Sequence, residues 1–88
     1  MATKSNKPRR KVERVQTGIR IERRILKVLK GLAEYTYLTL GDLLEGMILH
    51  NFEGKAPFSA STLAAIEDLK KIYGLELTAE DSHHLSED

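Results

Sequence analysis

Hydrophobic and polar positions along the chain first alternate and then settle into a helical spacing. Within 15–21, Ile19 and Ile21 fall on one side of an extended chain, and Gln16, Gly18 and Arg20 on the other, because strand side chains alternate with period two. That predicts one short strand. From about 22 to 36, Ile25, Val28, Leu29 and Leu32 recur at i, i+3, i+4, widened by Leu26 and Ala33, which predicts an amphipathic helix. A second helix is predicted over about 40–52 from Leu40, Leu43, Leu44, Met47, Ile48 and Asn51, with Thr39 as its N-cap and Gly54 beyond its end. A third, over about 62–73, carries Leu63, Ile66, Leu69, Ile72 and Tyr73, with Ser59 or Ser61 as cap and Gly74 as its stop. Thr78 and Asp81 have the spacing of a final helical turn.

The strand has no second alternating run to pair with, yet its backbone N–H and C=O groups need partners if they are to leave water. The simplest partner is the same strand of another copy, giving a two-stranded antiparallel ribbon about a two-fold axis. Size points the same way, since domains of this length bury only about 60% of their unfolded surface and often need oligomerisation, metals or disulfides. The chain has 88 residues and no cysteine, so disulfides and thiolate zinc sites are excluded. No apolar run approaches the roughly 20 residues of a membrane span, and no signal-peptide core follows the basic start. A cytoplasmic protein is expected, associated with the nucleoid if it binds DNA.

Charge changes the picture more than composition does. The formal net charge is only +1, but the first 30 residues hold eleven Lys and Arg against two acids, and the remainder three against eleven. Such a split marks one end for polyanions and one that avoids them. Residues 1–14 are polar and basic and cannot bury enough apolar surface to offset their ordering entropy, so they are expected to be a disordered arm. Its Arg9, Arg10, Lys11 and Arg14 are placed to meet phosphates. Three units follow: the arm 1–14, a dimerising and DNA-binding unit 15–53, and a linker, third helix and acidic tail over 54–88.

No catalytic constellation appears. There is no glycine loop for phosphate, no nucleophile elbow and no metal-spaced ligand set, and His83 and His84 are adjacent, so on a helix they diverge. Neighbouring acids such as Glu67 and Asp68 read as surface charge. The expectation is a non-enzyme without metal or cofactor. Arg20 and Gln16, in contrast, are types that read base edges, Arg on guanine and Gln on adenine, in a major groove wide enough for a ribbon. The helix start at Thr39 offers N–H groups and a dipole end suited to phosphate.

The run Thr17-Gly18-Ile19-Arg20-Ile21, followed by two helices with Tyr37-Leu38-Thr39 between them, resembles the ribbon-helix-helix DNA-binding proteins of the Arc and MetJ repressor class. The resemblance covers about residues 15–52. It implies a mainly α fold with one short β-strand: an intertwined homodimer with an intersubunit antiparallel ribbon, plus a C-terminal helix. It further implies base contacts from Gln16, Gly18 and Arg20, phosphate contacts from Thr39, Leu40 and Gly41, and a dimer core of Ile19, Ile21, Ile25, Leu29, Leu43, Leu44 and Met47. Two positions depart from the family: Gly18 stands where a polar reader is usual, and Glu22 where the first helix often starts with Ser, Thr or Pro. The function implied is sequence-specific binding of double-stranded DNA by a transcriptional regulator, a repressor. The alternative is an antitoxin, with the same N-terminal module and a toxin-binding segment over 55–88.

Overall fold

The computed structural model describes residues 9–87. Three α-helices follow one another, α1 Arg23–Thr36, α2 Leu40–Phe52 and α3 Ala60–Tyr73, and then a 3-10 turn, Ala79–Asp81. The part of the basic arm before Arg9 lies outside the described residues.

The strand expected over 15–21 is absent. Residues 9–22 carry neither helix nor strand, and among the described residues the chain is all-helical. The intersubunit ribbon, and with it the ribbon-helix-helix architecture, is therefore corrected to a three-helix arrangement preceded by an irregular segment. Period-two alternation marks which side chains a strand would present, but a strand exists only as a member of a hydrogen-bonded ladder. No other segment of the described chain offers an edge. Gly18 lies mid-run and raises the entropy of ordering it. Val15 and Ile19 remain 75% and 69% exposed, and Ile21 is only half-buried, so the alternation gains little burial either.

Each helix starts on a side-chain cap and ends at a backbone reversal; those of α2 and α3 are legible in the sequence, whereas the Glu22 cap and Tyr37 stop of α1 are not. The Glu22 carboxylate caps α1, accepting from the N–H groups of Arg24 at 2.8 Å and Ile25 at 3.0 Å. Thr39 Oγ1 accepts from the Asp42 N–H at 3.1 Å and starts α2. Ser59 Oγ accepts from the Thr62 N–H at 3.2 Å, so α3 begins two residues before Thr62, on the earlier of the two candidate serines. All three helices close with a left-handed residue and two backward bonds: Tyr37 (φ 60), Gly54 (φ 71) and Gly74 (φ 66). The Leu38, Lys55 and Leu75 N–H groups donate to Ala33, His50 and Lys70 carbonyls at 2.9, 2.8 and 2.9 Å. Tyr37 is the costly member of the set, because a side chain at positive φ is strained where glycine is not.

The core sits where α1 meets α2 and α3. Leu32, Ala33 and Leu43 are buried, with Leu29, Met47, Phe58, Ile66 and Leu69 packed around them. The third helix lies against α1 through Gly31, where an added Cβ would stand 2.9 Å from Leu69 Cδ2. A glycine inside α1 costs about 1 kcal/mol relative to alanine, and close approach of α3 is its return. Gly31→Leu places a branched side chain on the Leu69 methyls and is expected to destabilise by about 1–3 kcal/mol through overpacking. Chemical denaturation followed by circular dichroism checks it, and an unchanged midpoint would mean that α3 does not dock there.

Candidate nucleic-acid interface

The basic surface has two parts, an irregular lead-in and one face of α1. Arg9, Arg10, Lys11, Arg14 and Arg20 lie on the lead-in, and all five are exposed. Arg23, Lys27 and Lys30 follow at i, i+4 and i+7 on α1, so a helix places them on one face, and they too are exposed. Tyr73 on α3 steadies the middle of that stripe, with Lys27 Nζ 5.8 Å from its ring centroid. Arg24 does a structural task instead. Half-buried, it holds the Glu22 carboxylate at 2.9 Å and reaches the Gly74 carbonyl at 3.4 Å, tying the start of α1 to the end of α3.

Two cations of the lead-in are matched by acids of this chain. Arg14 donates to both Glu45 carboxylate oxygens at 2.8 Å and lies 3.7 Å from Asp42, which brings the lead-in onto the outer side of α2. The Arg14 guanidinium holds the Glu45 carboxyl below the ordinary carboxylate range, chiefly by hydrogen bonding. Arg20 pairs with Glu87, from the far end of the chain. Partial burial pushes the Glu22 carboxyl up, but bonds from the Ile25 N–H and from Arg24 outweigh it, and the group ends below its usual value.

The residues expected to read bases, Gln16, Gly18 and Arg20, are exposed and share one segment, and nothing lies within 4 Å of a Cβ built on Gly18. Packing therefore does not require glycine there. Of the residues expected to hold phosphate at the start of α2, Thr39 and Gly41 are exposed and Leu40 half-buried. Thr39 spends its hydroxyl on the cap, and Asp42 in the first turn adds a negative charge beside it. The expected dimer-core set divides: Leu43 is buried in this chain's own core, Ile21, Ile25, Leu29, Leu44 and Met47 are half-buried, and Ile19 is exposed.

Sequence reasoning missed the pairings that bring the lead-in to α2 and the tail to the lead-in. Arg14 with Glu45 spans 31 positions and Arg20 with Glu87 spans 67. The only signal was the complementary charge of the two ends, which does not specify partners.

Among the described residues no group of three His, Cys, Asp or Glu could hold a metal ion. No helix there is long and apolar enough to cross a membrane. Comparison with protein-family models, with curated proteins and with solved structures gives no match for this chain.

Proposed function

We propose that this chain binds double-stranded DNA as a homodimer and regulates transcription, acting as a repressor at the nucleoid in the cytoplasm. One observation carries the reading: eleven of its fourteen Lys and Arg precede residue 31, and Arg23, Lys27 and Lys30 continue the charge of the lead-in along an exposed face of α1. A helix face of that kind meets phosphates, and an irregular basic segment beside it follows a groove. Within that segment Arg20 and Gln16 are the residues that would contact base edges, with Arg9, Arg10 and Lys11 on phosphate. The acidic second half keeps α3 away from the duplex and so orients the chain on it.

Dimerisation is supported by what one copy leaves in water. Tyr37, Phe52 and Ile72 are 95%, 80% and 70% exposed, and Leu49 63%. Among the described residues, only Val28, Leu32, Ala33 and Leu43 form the buried core. A second copy covering part of the apolar surface supplies the burial that so small a core lacks.

The test is binding of a labelled mixed-sequence duplex across a salt series, with sedimentation at the same concentrations. The expected result is a dimer whose log Kd rises steeply and linearly with log salt. Binding that ignores salt, or none at low salt, overturns the DNA reading, and a monomer at micromolar concentration overturns the dimer.

A further inference from the structure

Residues 75–87 do not trail away from the fold. After α3 stops at Gly74, the 3-10 turn is locked by Asp81, whose carboxylate accepts from the Thr78 N–H at 2.8 Å. His83 then takes a left-handed backbone (φ 68), and the His84 N–H donates to the Asp81 carbonyl at 2.9 Å. This reverses the chain toward the start of α1, where Arg24 already ties that helix to Gly74. There Leu85, Ser86 and Glu87 line a groove of about 710 Å³ together with Ile19, Arg20, Ile21, Glu22, Arg23 and Leu26. Glu87 forms an ion pair with Arg20 across it.

From this juxtaposition we infer that the C-terminal tail is a built-in competitor for the polyanion surface: Glu87 occupies Arg20 as a phosphate or base edge would, and Leu85, 51% exposed, lines the same groove as Ile19, Ile21 and Leu26. The inference rests on the DNA reading above and adds regulation to it. Both partners of the pair are largely exposed, 83% for the Arg20 side chain and 74% for Glu87. An exposed pair is weak and screened by salt, so the tail raises the threshold for binding without abolishing it. A polyanion presenting many phosphates displaces one carboxylate, whereas an isolated anion does not. The consequence is discrimination: weak, non-specific contacts fail to open the tail, and a site that engages Arg20 well does.

Three full-length variants test it against one labelled mixed-sequence duplex at fixed salt. Glu87→Gln removes the competing charge. Leu85→Asn removes the tail's apolar part of the groove lining without changing net charge. Glu80→Gln, on the exposed 3-10 turn, removes an acid from the same end of the chain away from Arg20. Glu87→Gln and Leu85→Asn are each expected to tighten binding by up to about fivefold, the upper end that an exposed pair supports, and Glu80→Gln to leave it unchanged. The Arg20 side-chain Nε–H resonance should shift in the first two and stay put in the third. Equal affinity of all four proteins overturns the inference while leaving DNA binding standing. Tightening by Glu80→Gln equal to that by Glu87→Gln also overturns it, since net charge alone would then be at work. If neither wild type nor any variant binds the duplex, the DNA reading fails and the competitor falls with it.

Discussion

Leu32→Ala is expected to unfold most of the protein at room temperature. Leu32 is the most completely buried large side chain, 2% exposed, and stands where α1 meets both other helices. Removing a buried leucine costs about 2–5 kcal/mol, from the forfeited transfer energy plus the cavity left behind. A chain of 88 residues has a total stability of about 4–13 kcal/mol at the usual per-residue range, and a buried core of four side chains places this one low in it. The loss therefore rivals the whole. Glu34→Ala, at an exposed position of α1, is the comparison and should stay within about 0.5 kcal/mol. Thermal unfolding by far-ultraviolet circular dichroism separates the two. The chain has no tryptophan, so helix content is the better probe. A Leu32→Ala protein melting within a few degrees of wild type would mean that the three helices are not held together by this core.

The helices were legible because their information is local. Thr39, two residues before Gly41, together with the Leu40, Leu43, Leu44 and Met47 spacing, determines α2 to the residue at both ends. The third helix starts two positions earlier than the spacing predicts, since Ser59 and Ser61 are equally good caps on paper and Ser59 takes the role, immediately after Phe58, which packs on the core. The strand failed for the opposite reason. Alternation at Ile19 and Ile21 is local, but pairing is not, and nothing in residues 9–22 states whether an edge will be available. Of the site, the residue types and the charge asymmetry could be read directly. Which of those cations would be held by acids of the same chain could not, because ion pairs such as Arg14 with Glu45 depend on how the lead-in crosses α2.

Neutralising the exposed face of α1 should separate binding from folding. In Arg23→Gln/Lys27→Gln/Lys30→Gln, three exposed side chains lose their charge but keep comparable length, and glutamine is as good a helix former as lysine or arginine. Stability should change little, by no more than about 0.5–1 kcal/mol for the Lys27 interaction with the Tyr73 ring. Duplex binding should change a great deal. Every phosphate that goes without its cation flattens the slope of log K against log salt by about 0.9, so neutralising all three cations flattens it by about 2.7 for each protomer that contacts the duplex. Arg24→Gln is the instructive contrast. That side chain lies half-buried between Glu22 and the Gly74 carbonyl, so its loss should lower the melting temperature and leave the salt slope nearly intact. The pair of results distinguishes cations that face a polyanion from one that holds α1 to α3. If the triple variant keeps the wild-type slope, the α1 face is only a solvated surface, and any DNA binding belongs to the segment before Arg23.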